Sequence, residues 1–203
     1  MAIGAEGSCV RPQIESPKGI GEHHAEIPRG SVRFLRFFDH LARSLFGRLR
    51  GGERMPAKMT SENSTAEILA ALPGNPLVVH NVAGRYGNIE RLVISEKGAV
   101  YLIETKSHGG TITEEKGELR QDGSPMEEDF IRQTTTNAFG LRELMEQGLG
   151  ICPFIHAAIV FPNALVSVPR TIYGVDVLGL GEVTKWIARA RGNPEVARLI
   201  AAQ

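Results

Sequence analysis

The stretch GAVYLIETKSHGG, residues 98–110, ends an apolar run on Glu104, Thr105 and Lys106. Side chains alternate along a strand, so Val100, Leu102, Glu104 and Lys106 share one face, and Ala99, Tyr101, Ile103 and Thr105 share the other. A carboxylate and an ammonium therefore leave the same face two residues apart. The preceding run, NIERLVI, has Glu90, Leu92 and Ile94 on one face. If Ile94 pairs with Val100, Leu92 meets Leu102 and Glu90 meets Glu104; a shift to Ala99 sends Glu90 to the opposite face. Burial of both apolar pairs favours the first register. Two carboxylates at cross-strand distance repel, and a hard divalent cation relieves that repulsion. Such a cation polarises a phosphodiester and acidifies a water, while Lys106 positions or deprotonates the water and offsets phosphate charge. The plain alternative is a solvated or simply paired set of charges, because E-x-K is common at strand ends.

The elements that must position these residues follow from pattern. STAEILAALPG reads as a helix with Ser64 as cap and Pro73-Gly74 as stop. PLVVHNV, NIERLVI and AVYLIETK read as three strands, the last two joined by a tight turn at SEKG. TITEEKGELRQDGS has the alternation of a short hairpin, EEDFIRQTTTNAFGLRELMEQG is a long helix, and PFIHAAIVF is an apolar strand. TIYGVDVLG gives a last strand, and GEVTKWIARA and NPEVARLIAA give two closing helices. Helix, three strands, helix, strand is an α/β order.

Upstream, residues 1–30 mix Gly, Pro and charge without a period and read as a flexible N-terminal tail. Residues 31–50, SVRFLRFFDHLARSLFGRLR, place Phe34, Leu35, Phe37, Phe38, Leu41, Leu45, Phe46 and Leu49 on one half of a helical wheel and most arginines on the other. This cationic amphipathic helix either packs on the domain or pairs two copies of the chain, or it docks on a membrane surface or a protein partner. Residues 51–60 read as a linker and 61–203 as the main domain.

The chain has 203 residues, 42% of them apolar, enough for one well-buried domain with an appendage. Residues 1–60 carry ten Lys and Arg against six Asp and Glu, and the rest carries thirteen against seventeen. The main domain is mildly acidic, which excludes a binder that works by bulk positive charge. Cys9 and Cys152 lie far apart with no CxxC pair, against a disulfide framework or thiolate zinc site and in keeping with a reducing cytoplasm. No apolar run approaches the roughly 18 residues of a membrane span, and the start lacks the apolar region of a secretory signal.

The ordered set AEILAAL, VVHNV, GNIERLVISEKGAVYLIETKSHGGTI and RQTTTNAFGLRELM resembles the nuclease-related domain, a branch of the PD-(D/E)XK endonuclease superfamily. The resemblance covers roughly residues 61–180. It implies a restriction-endonuclease-like fold, a mixed central sheet flanked by helices, with the N-terminal 60 residues as an extension. It further implies that Glu90 and Glu104 hold Mg2+ or Mn2+, that Lys106 is the catalytic lysine, and that DNA is cut, leaving RNA open as a substrate. Glu67 on the first helix would supply a further acidic group, directly or through water, although a glutamate there also complements the helix dipole. Gln133 matches a glutamine that faces the site, and Asn137 lies one turn later on the same side; both also suit an exposed polar face. The chain departs from the family at Glu90, where aspartate is usual. One added methylene moves the carboxylate by about 1.5 Å, which favours weak or manganese-shifted activity, or a module that binds nucleic acid without cutting it.

Other residues read more plainly. His23-His24 and His108 lack metal-ligand spacing to a partner, so solvent or phosphate contact suits them better than zinc. Gly109-Gly110 turns the chain beside the site, Cys152 reads as a buried thiol without a basic neighbour, and Phe139 and Trp186 read as core. If the 31–50 helix is a tether, the full chain co-sediments with liposomes and a chain beginning at Met59 does not; equal behaviour of the two removes the tether.

Overall fold

The structure is a computed structural model that describes residues 58–201 other than 75, 85, 169 and 170, with 58–63 as backbone only. The 1–30 tail, the 31–50 helix and most of the 51–60 linker lie outside the described residues.

The SEKG turn decides the register of the sheet. Gly98 has φ +77°, and a Cβ there would meet the Asn193 carbonyl oxygen at 2.2 Å, so glycine is required on both counts. Its amide donates to the Ser95 carbonyl at 2.8 Å and the Ser95 amide to Ala99 at 3.0 Å, which closes the turn. Strands β2 (Asn88–Ile94) and β3 (Val100–Thr105) then pair antiparallel with Ile94 opposite Val100 and Leu92 opposite Leu102. This is the register that buries both apolar pairs.

Strand β1 (Leu77–Ala83) pairs antiparallel with β2, while β7 (Ile155–Phe161) and β9 (Val175–Gly179) extend the other side in parallel, giving the order β1-β2-β3-β7-β9. Helices cover both faces of this mixed sheet. Helix α1 (Lys58–Ala70) brings Leu69, and α3 (Val183–Arg189) brings Val183 and Ile187, against Tyr101, Ile103 and Val160. Helix α2 (Phe130–Leu149) brings Leu141 and Met145, and α4 (Pro194–Ala201) brings Val196, against Leu92, Ile94, Val100 and Leu102. The 3-10 turn Leu180–Glu182 leads into α3.

A smaller sheet, order β6-β5-β4-β8, grows from the same strand pair. Beyond Thr105 the chain re-enters strand β4 (Gly109–Glu115), and beyond Phe161 it re-enters β8 (Asn163–Ser167), again in parallel. Strands β5 (Glu118–Gln121) and β6 (Ser124–Pro125) complete it. Glu104 stands opposite Ile159, but Gly109 stands opposite Asn163, so the register slips by one residue between them. The extra residue lies on the Lys106–His108 side. Such a bulge bends the strand and re-aims a side chain.

Three expectations need correction, and one strand was not anticipated. Helix α1 begins at Lys58, not behind a cap at Ser64, because residues 58–63 contain no glycine or proline to stop it. NALVS, assigned to no element by its pattern, is β8. Phe139 is 60% exposed, since it lies two residues from buried Asn137 and from buried Leu141, about 200° around the helix from each. Cys152 is half-buried, not buried, and has a basic neighbour, the Arg142 Nε at 2.9 Å. Trp186 is partly buried and its indole donates to Asp176 at 2.7 Å.

Candidate active site

Glu104 sits at the last buried position of its face on β3 and is 7% exposed. Its Oε1 accepts from the Glu90 amide at 3.4 Å and from the Asn137 Nδ2 at 3.5 Å; Oε2 takes neither bond. Burial pushes the Glu104 carboxyl above the usual carboxylate range; the Glu90 charge adds to this, while the Glu90 amide, Lys106 and Asn137 oppose it.

Glu90 ends the ladder on β2, and its side chain accepts from the Thr105 amide through Oε2 at 2.6 Å. Its Oε1 is paired with Arg91. Arg91, 3% exposed, also donates to the Thr105 hydroxyl at 2.7 Å, which in turn donates to Thr65 on α1 at 3.4 Å. Arg91 and Thr105 point to the α1 face, so this chain of contacts ties the two faces together at the strand ends.

Lys106 follows the ladder, its amide bonded to the Val160 carbonyl at 2.9 Å. Its Nζ lies 3.4 Å from Gln133 Oε1 and 4.1 Å from the centroid of the Phe130 ring. Helix α2 thereby presents Phe130, Gln133 and Asn137, at spacings of three and four, along one stripe over the strand pair. Its start is set by Asp129, whose side chain accepts from the Arg132 amide at 2.9 Å. Among the residues expected at the site, Glu90, Glu104, Lys106, Gln133 and Asn137 come together. Glu67 does not join them: it is exposed on α1, and Thr65 and Leu69 are the residues of that helix turned inward.

Arg91, Thr105, Thr65 and Phe130 were not singled out from the sequence. Arg91 had a signal, since a cation in a strand buried on both faces requires a counter-charge. His108 lies between Phe130 and Phe161, with ring centroids 5.4 and 6.2 Å away, and contributes packing beside the site. Gly110, at φ +77°, leaves room for Asp122, whose Oδ1 accepts from the Thr111 amide at 2.8 Å.

Among the described residues no three of His, Cys, Asp and Glu form a metal-holding group. The oxygen donors that converge are two carboxylates, one of them buried under like-charge repulsion. That set suits a hard divalent cation with waters or phosphate oxygens completing its shell, and does not suit zinc.

The raised pKa of Glu104 has a direct consequence for stability. The folded chain holds this proton more tightly than the unfolded chain, so the stability it contributes is fully present below the ordinary value of 4.5 and is lost as pH rises through the raised folded value. In EDTA, urea denaturation of the wild type is expected to show this loss over that window and Glu104→Gln to lack it. A parallel pH dependence in both would contradict the burial argument.

A family model described as the nuclease-related domain matches residues 57–162. No curated protein matches the chain. Among solved structures, the crystal structure of a repair endonuclease from Pyrococcus abyssi is similar at 11% identity and a TM-score of 0.35, covering 64% of this chain and 48% of that one. This chain thus spans about half the length of that relative. The matched segment contains Glu90, Glu104, Lys106, Gln133 and Asn137 and more than half of the sequence, and the chain belongs to the nuclease-related domain family.

Proposed function

We propose that the protein is a metal-dependent nuclease that hydrolyses DNA phosphodiester bonds, with Glu90 and Glu104 as ligands of Mg2+ or Mn2+. The observation that carries this reading is the meeting of two carboxylates, one buried with a raised pKa, beside a lysine held by a glutamine and an aromatic ring.

A bound divalent cation supplies charge neutralisation at the phosphate and acidifies the attacking water. Lys106 orients that water and offsets the charge that builds on the phosphoryl oxygens. Gln133 and the Phe130 ring limit where the ammonium goes. Asn137 holds the Glu104 carboxylate through Oε1 and leaves Oε2 outside that bond. Glu67 enters only through water, since α1 turns Thr65 and not Glu67 toward the strands. Nothing in two carboxylates and a lysine distinguishes a 2′-hydroxyl, so RNA is a second substrate class for the same site.

One observation favours a second reading, a module that binds nucleic acid without cutting it. Both Glu90 oxygens are already engaged, by Arg91 and by the Thr105 amide. The two readings separate on cleavage of supercoiled, linear and single-stranded DNA with Mg2+, Mn2+ or EDTA. The nuclease reading expects metal-dependent nicking that Glu104→Ala and Lys106→Ala each reduce by roughly 100-fold or more. Salt-sensitive binding with equal inertness of wild type and both variants would favour the binding module.

A further inference from the structure

Arg91 and Glu90 are sequence neighbours on β2, so their side chains start on opposite faces of the sheet. They meet nonetheless at the strand end. The additional methylene of Glu90, relative to aspartate, gives its carboxylate the reach to do so. Arg91 binds Oε1, the Thr105 amide binds Oε2, and the same guanidinium holds the Thr105 hydroxyl at 2.7 Å. His80, opposite Arg91 on β1, has its pKa lowered by partial desolvation first and by the guanidinium's charge second.

We propose that Arg91 is a built-in counter-cation: in the metal-free protein it holds Glu90 in place of a metal, and it thereby sets how much divalent cation the site requires. The inference rests on the reading of Glu90 and Glu104 as metal ligands. With both carboxylates ionised, Glu90, Glu104, Arg91 and Lys106 sum to zero charge, so an incoming divalent cation meets a neutral cluster. It gains Glu90 only by sharing it with, or taking it from, a guanidinium buried in contact with the same oxygen. Arg91 is in this sense a positioning residue: it keeps Glu90 at the strand end and weakens its service as a ligand. A purely structural arginine would behave oppositely, since its removal would loosen Glu90 and weaken any metal site.

The test is Mn2+ titration of the full chain, read as loss of the free-ion electron paramagnetic resonance signal, for wild type, Arg91→Met, Glu90→Asp and Glu104→Ala, with folding checked by circular dichroism. Methionine keeps an unbranched apolar chain about as long as the aliphatic stem of arginine and removes the guanidinium. Aspartate withdraws the carboxylate from Arg91 without removing the arginine. Both are expected to bind Mn2+ at least about tenfold more tightly than wild type, the effect of removing one nearby positive charge or its grip on the ligand. Glu104→Ala is expected to bind more weakly. Equal or weaker binding by folded Arg91→Met overturns the proposal; if that variant does not fold, equal or weaker binding by Glu90→Asp does so. If Glu104→Ala leaves binding unchanged, or no variant nor wild type binds, the ligand reading fails and this inference with it.

Discussion

Two carboxylates meet at the end of a sheet only when the strands that carry them are in one particular register, and here that register hangs on a single tight turn. Gly98 closes SEKG where any side chain would strike the Asn193 carbonyl. Ile94 then stands opposite Val100, Leu92 opposite Leu102, and the next positions along that face are Glu90 and Glu104. A slip of one residue would send Glu90 to the α1 face and exchange the apolar side chains between two cores that are each packed for a different set. The hydrophobic core and the charged site are thus selected by one constraint. The energy of burying Leu92, Ile94, Val100 and Leu102 under α2 and α4 keeps like charges adjacent at the open end.

That arrangement is costly, and the surrounding residues show how the cost is limited. Glu104 is buried with a raised pKa, yet it receives an amide from Glu90 and another from Asn137. Glu90 is held by Arg91 and by the Thr105 amide. Lys106 stands past a one-residue slip in the parallel ladder, where the strand bends, and rests between Gln133 and Phe130. The bend matters because the same two strands continue into the smaller sheet. The site therefore lies at the corner between the two sheets, with α2 crossing over it.

Much of this was legible in the sequence. Period-two alternation in NIERLVI and AVYLIETK, with a turn between them, was enough for the strand pair and for the shared face of Glu104 and Lys106, whereas the place of Glu90 depended on a register that only burial of the apolar pairs favoured. The spacing of Gln133 and Asn137 was enough to put both on one stripe of α2. What stayed hidden depended on contacts between distant segments. Arg91 was passed over because alternation assigns it to the far face, and only the strand end lets it reach back to Glu90. β8 was missed because NALVS is short and half-exposed and is a strand only through its pairing with β4. The place of Glu67 depended on the rotation of α1, which Thr65 and Leu69 decide by packing inward.

The central claim, that Glu90 and Glu104 together hold a divalent cation beside Lys106, is tested most directly by crystals of the full chain grown with Mn2+ and measured at the manganese absorption edge. The account predicts one anomalous peak between the two carboxylates, about 2.0–2.3 Å from an oxygen of each. A peak elsewhere on the chain, or none at a concentration that saturates binding in solution, would contradict it.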